Sequence, residues 1–135
     1  MADIRVGLHP ELLTKIDGVL TAMLLKGSPM KIVQGLRTTE QQHQLWLQGR
    51  DPNHPGPIVT HADGVKVRSN HQADPIDGLG RAVDCAFLGG EPFSEKHPWS
   101  VYGATCEAAG LVWGGGHTHG WHGQDRPHAQ LPNCN

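Results

Sequence analysis

Gly80-Arg81-Ala82-Val83-Asp84-Cys85-Ala86-Phe87 is the stretch on which the fold turns. Ala82 to Phe87 is a short apolar run and predicts a strand. One charged residue, Asp84, interrupts it. A carboxylate in an apolar strand costs free energy unless it is paired or bound to a metal. Side chains alternate along a strand, so Asp84 and Cys85 face opposite sides. Cys85 then reads as a core residue rather than a nucleophile. Taken alone, Asp84 reads equally well as a capping or salt-bridged group facing solvent.

Upstream of this strand, residues 50–80 hold four prolines and four glycines with no sustained periodicity. So long a stretch without regular structure is expected to be functional or disordered, and here it reads as an active-site loop. Before it, Leu12, Ile16, Val19, Leu20, Met23 and Leu24 recur at helical spacing and predict a helix from about Pro10 to Lys26. Gly27-Ser28-Pro29 ends it. Lys31 to Leu36 predicts a strand. Thr38 and Gln41 form a capping box for a second helix running to about Gln48. Downstream, Pro98 to Ala109 predicts a third helix stopped by Gly110. Leu111 to Trp113 is a short strand, Gly114 to Gly123 a glycine- and histidine-rich loop, and Pro127 to Leu131 a last strand. Short strands interspersed with helices give an α+β fold: a small antiparallel sheet with three helices.

The chain has 135 residues and a formal net charge of -2, which suits one domain and disfavours a polyanion partner. No nucleic-acid binding is expected. No apolar run reaches the ~20 residues needed to span a bilayer, so no membrane insertion is expected. Met1 to Pro10 carries Asp3, Arg5 and His9 and does not read as a secretory signal, so synthesis in the cytoplasm is expected. Cys85, Cys106 and Cys134 are odd in number and contain no CxxC, which argues against a disulfide framework or a zinc ribbon. Histidine is the unusual residue. There are ten, eight of them between His54 and His128 among Asp, Gly and Pro, a composition that suggests a metal site or else a polar surface.

A hydrolytic zinc site takes about three protein ligands and leaves one position open. His71 in the long loop and Asp84 on the strand are candidates, and His128 is a third. Asp125 lies three positions before His128, so both can point into one cleft. A carboxylate there can take the proton of an activated water, although an Asp just ahead of Pro127 is also a common turn former. Arg37 lies between a predicted strand and a capped helix. A guanidinium fixed in that way suits a carboxylate or a developing oxyanion, or else pairs with Glu40.

Four segments in order carry a resemblance: Ser69-Asn70-His71, Gly80-Arg81-Ala82-Val83-Asp84, Trp113-Gly114-Gly115 and Asp125-Arg126-Pro127-His128. Leu36-Arg37-Thr38-Thr39-Glu40-Gln41-Gln42 adds a fifth. From about residue 32 to 131 the chain resembles the D-alanyl-D-alanine carboxypeptidase / L-alanyl-D-glutamate endopeptidase family of zinc peptidases, many of them phage endolysins. The resemblance implies a fold shared with the hedgehog signalling domain, zinc on His71, Asp84 and His128, and Asp125 as catalytic base. It implies a peptidoglycan stem peptide as substrate, with Arg37 on the oxyanion and Ser69 and the loop after Trp113 shaping the cleft. A monomer made in the cytoplasm and acting on the cell wall after release is expected. The rival readings are a D-Ala-D-Ala carboxypeptidase and a zinc-containing peptide-binding module that does not cleave. The interval from His71 to Asp84 departs from the family pattern through an insertion, Gln72 to Asp77, which brings Asp74 and Asp77 near His71 in sequence. His117, His119 and His122 are expected to be outer-shell or surface groups.

Overall fold

The computed structural model describes residues 3–132, so Cys134 lies outside them. Leu12, Ile16, Val19 and Met23 occupy one stripe of α1 (Pro10–Leu25) and are buried. Pro10 opens that helix, where its missing N–H costs nothing, and the His9 side chain accepts from Glu11 N at 3.1 Å. The next elements are β1 (Met30–Gln34) and α2 (Thr39–Leu47). The capping box at α2 forms as its sequence requires, with Gln41 N donating to Thr38 Oγ1 and Thr38 N donating to Gln41 Oε1. β2 (Ala82–Phe87), α3 (Trp99–Ala108), β3 (Val112–Trp113) and β4 (His128–Gln130) follow. Three helices and an antiparallel sheet in the order β1-β2-β4-β3 make the expected α+β fold.

The register of the sheet separates two faces. Val83 lies opposite Ala129, and Ala129 lies opposite Trp113. These three residues, with Cys85 and Phe87, face α1 and α3 and belong to the hydrophobic core or pack against it. The expectation that Cys85 lies in the core is met: the residue is fully buried, and burial pushes its thiol up to about 12. A thiol in that state is no nucleophile near neutral pH. The other face is set by the alternate residues. Asp84 lies directly opposite His128 on β4 and Gln34 on β1.

Residues 48–79 contain no helix or strand, and Asn70 and His71 within them reach that second face at Gln130 and His128. Backbone groups in that segment are satisfied by side chains as well as by turns. Asp63 Oδ1 accepts from the amides of Val65, Lys66 and Val67 at 2.9–3.0 Å. Buried Gln42 of α2 donates to Ala62 O at 2.8 Å, and buried Gln72 donates to Gly64 O at 3.0 Å. These bonds turn a long irregular segment into a fixed surface. Among the described residues, no helix is long and apolar enough to cross a membrane.

Gly103 of α3 meets the flat of the Trp113 ring so closely that an added Cβ would overlap it. Gly103→Ala is therefore expected to destabilise the fold by about 1–3 kcal/mol, the cost typical of overpacking. A thermal or denaturant melt checks this, and an unchanged midpoint would show that the ring does not sit where described.

Candidate metal centre

Asp84 reaches the site from β2 and His128 from β4, as a directly opposed cross-strand pair. His71 comes from the irregular segment, yet its backbone is held on both sides. Its carbonyl accepts from Arg37 N at 2.7 Å, and its amide donates to Ser69 Oγ at 3.2 Å. The three side chains meet at one point. His71 Nε2 lies 3.2 Å from His128 Nδ1 and 3.3 Å from Asp84 Oδ1, and His128 Nδ1 lies 3.4 Å from that same oxygen.

The protons on the two rings are set from behind. His71 Nδ1 lies 3.0 Å from Gly35 O, and a carbonyl can only accept, so Nδ1 carries the hydrogen. His128 Nε2 lies 2.7 Å from Gln130 Oε1 and donates in the same way. Each neutral ring then turns a lone pair inward, toward a carboxylate oxygen that has no hydrogen-bond donor of its own. Three electron pairs converge on one point with His71 and His128 buried. Such an arrangement is stable only with a cation or a proton between them. A metal ion fits the triangle. Zinc bonds of 2.0–2.1 Å in a tetrahedron place neighbouring ligand atoms about 3.4 Å apart, which is the size of the triangle seen here. His71, Asp84 and His128 are also the group among the described residues whose ligand atoms could hold one ion, all within 4.8 Å of one another.

The charges around the triangle are mutually dependent. Where a proton rather than a metal sits between them, the bonds and charges of His128 and His71 outweigh the burial that pushes the Asp84 carboxyl up and hold it well below the usual carboxylate range. His128 is held above the ordinary histidine range, because Asp84 and Asp125 outweigh the effect of its burial. Asp125 Oδ2 stands 3.8 Å from His128 Nδ1. Burial, with Asp84 adding to it, raises the Asp125 carboxyl against the pull of His128 and Arg37. Among the described residues its carboxylate makes no turn-forming bond to the backbone, so it is free to handle a proton.

Arg37 sits beside the triangle, with Nη2 3.9 Å from Asp84 Oδ2 and Nη1 donating to Gln42 Oε1 at 2.7 Å. Its pairing is therefore with Asp84 and Gln42, while Glu40 is exposed. Burial lowers the guanidinium's pKa, and its Nε is buried without a partner.

The structure thus brings His71, Asp84, His128, Asp125 and Arg37 together. Ser69 lies behind His71, where its hydroxyl serves the turn. Trp113 lies on the opposite, helix-facing side of the sheet, with Nε1 donating to Arg126 O at 2.7 Å and its ring against Gly103. The aromatic side chain at the site is instead Trp121, whose ring centroid is 4.7 Å from that of His128. Neither Trp121 nor Gln130 was singled out in the sequence; the spacing of Gln130 two residues after His128 on a strand was the available signal. His117, His119 and His122 are exposed and outside the triangle. Asp77 is bound to Arg81 through Nη2 at 2.6 Å and Nη1 at 3.0 Å, and Asp74 lies 3.4 Å from the same guanidinium. The insertion thereby engages Arg81 instead of the triangle.

No family model matches the chain. Solved structures do share its fold. The L-Ala D-Glu endopeptidase ChiX of Serratia marcescens is 21% identical, with a TM-score of 0.57 over 93% of this chain and 80% of that one. The L,D-carboxypeptidase DacB of Streptococcus pneumoniae is 19% identical, with a TM-score of 0.62 over 96% and 68%. The vancomycin-resistance D,D-pentapeptidase VanY of a VanB-type cassette, in complex with Zn(II), is 19% identical, with a TM-score of 0.59 over 92% and 72%. The chain is similar to all three in fold.

Asp84→Ala is expected to abolish metal uptake measured by elemental analysis, and Asp77→Ala to leave it unchanged. The reverse result would place the third ligand in the insertion. Asp77 has a separate signature. Hydrogen bonding to Arg81 holds its carboxyl at about 2, below its ordinary 3.8. Its contribution to stability is complete above about pH 4 and is lost as pH falls through about 2. The difference in melting temperature between Asp77→Asn and the parent should therefore vanish on acidification through that window.

Proposed function

We propose that the chain is a single-domain zinc peptidase that hydrolyses peptidoglycan stem peptides, of the endolysin type that cuts between L-Ala and D-Glu. The observation that carries this reading is the triangle of inward lone pairs on His71, Asp84 and His128, of the size a tetrahedral zinc requires. The fold supports it, since an L-Ala D-Glu endopeptidase, an L,D-carboxypeptidase and a D,D-pentapeptidase in complex with Zn(II) share that fold. His71, Asp84 and His128 would hold the zinc ion, which would supply Lewis-acid activation of water and of the scissile carbonyl.

The chain's own residues supply the rest. Asp125, raised above the usual carboxylate range and close to His128, accepts a proton from the attacking water and delivers it to the leaving amine. Arg37 holds its guanidinium beside the triangle, Nη2 3.9 Å from Asp84 Oδ2, where its charge can meet the oxygen on which charge develops. Gln42 holds that guanidinium in place from behind. Ser69 fixes the turn that presents His71.

A groove of about 700 Å³ runs from Arg37 along α2, lined by Gln34, Thr38, Gln41, Gln44 and Gln48 among others. It is open and rich in amide side chains, which suits a peptide that continues beyond the cleaved bond. That favours the endopeptidase over a carboxypeptidase, which needs a closed pocket for a terminal carboxylate. Asp125 in reach of the triangle favours an enzyme over a module that only binds. Action on the wall after release from the cell of synthesis is part of the same proposal.

The test is Asp125→Asn, assayed on purified peptidoglycan with the new termini identified by mass spectrometry. The variant should keep its zinc and its melting temperature while turnover falls by roughly 10²–10⁴-fold. Full zinc with undiminished turnover would remove Asp125 from the mechanism, and a parent that cleaves nothing would favour the binding module. Arg37→Ala is expected to lower kcat by roughly 10²–10³-fold, as for loss of an oxyanion donor, with a much smaller effect on melting. A variant that mainly unfolds would assign Arg37 to structure.

A further inference from the structure

We infer that Gln130, oriented by Asn70, is a positioning residue that selects which nitrogen of His128 faces the metal. The inference rests on the metal-site reading above and adds the device that keeps one ligand in its working form. A neutral imidazole carries one hydrogen, so only one of its nitrogens can be a ligand at a time. For His71 the choice is made by the backbone, through the carbonyl of Gly35. For His128 it is made by a side chain.

His128 Nε2 lies 2.7 Å from Gln130 Oε1, and both residues are buried. While the amide presents its oxygen, Nε2 holds the hydrogen and Nδ1 keeps its lone pair on the triangle. A carboxamide turned over would present its NH₂ group, reverse the tautomer and aim an N–H at Asp84 and His71. Asn70 opposes that rotation, because its Nδ2 donates to the same Gln130 oxygen at 3.1 Å. Asn70 is itself anchored, its carbonyl accepting from Arg81 N at 3.0 Å. Gln130 is held in β4, opposite Ala82 on one side and Val112 on the other. One amide oxygen therefore couples the segment that carries His71 to the strand that carries His128. Outer hydrogen-bond partners of metal-bound histidines are typically worth 10–100-fold in metal affinity.

Three variants separate orientation from packing. Gln130→Met removes the acceptor at similar volume. Gln130→Glu keeps an acceptor in the same place. Asn70→Asp leaves Gln130 intact but puts an acceptor where a donor is needed, which favours turning the amide. Zinc dissociation constants come from competition with a chelator. In each metal-free protein at alkaline pH, the ¹⁵N shifts of the His128 ring report which nitrogen carries the hydrogen. Gln130→Met and Asn70→Asp should each weaken zinc by roughly 10–100-fold, and Gln130→Glu should stay close to the parent. The ring hydrogen should be on Nε2 in the parent, shared between both nitrogens in Gln130→Met and shifted toward Nδ1 in Asn70→Asp. Zinc affinity and tautomer unchanged in Asn70→Asp would overturn the inference, as would equal losses in Gln130→Met and Gln130→Glu. Should Gln130→Met fail to fold, Asn70→Asp gives the same two measurements. A parent that takes up no zinc would overturn the metal-site reading, and the ring shifts, read without metal, would still decide the role of Gln130.

Discussion

The convergence of His71 Nε2, His128 Nδ1 and Asp84 Oδ1 on one point is the constraint from which the architecture of this face follows. Each atom brings an electron pair, and two of the three side chains are buried, so without a positive charge the cluster would work against the fold. The protein nevertheless holds it in place from behind. One backbone carbonyl, which can only accept, and one amide oxygen, which Asn70 keeps turned that way, take the outer hydrogens and leave the inner nitrogens bare. Rigid placement of unfavourable neighbours is what a metal site requires before its metal arrives.

The sheet does most of the placing. Asp84 and His128 are opposed across an antiparallel pair, where side chains on one face are closest. The same pairing sends Val83, Cys85 and Ala129 to the other face, into the core with α1 and α3. A change of register by one residue would exchange the two sets, burying the carboxylate among the helices. Metal site and core thus enforce the same register. Gly114 shows how close the fit is. A Cβ there would collide with the Asp125 carbonyl and with His128 Cβ, so the loop that carries Asp125 passes the strand end only because that residue has no side chain.

The two groups that flank the triangle differ in a way that suits two tasks. Arg37 is half-buried and tethered by Gln42, so its charge is held in place beside Asp84. Asp125 is half-buried, has no hydrogen-bond partner for its carboxylate among the described residues, and has its carboxyl raised by burial, which suits a group that exchanges a proton. Opposite charges in unequal environments would suit the fixed electrostatic role and the proton-transfer role proposed for them.

Much of this was legible in the sequence. The periodicity of Leu12, Ile16, Val19 and Met23, the Thr38–Gln41 capping box and the apolar run Ala82–Phe87 depend on neighbours in the chain, and local rules located all of them. Alternation along β2 also told that Asp84 and Cys85 part company. Spacing could not tell that Asp77 belongs to Arg81 while Asp84, thirteen positions from His71 and across an insertion, meets it in space. Trp113 and Trp121 look alike as tryptophans near a glycine loop, and only the pairing of β3 with β4 sends one to the helix face and leaves the other beside His128. Residue types and local elements follow from short-range sterics and periodicity. Which carboxylate, which indole and which ring nitrogen reach the site depends on strand register and loop closure, and these are set by contacts between residues far apart in the chain.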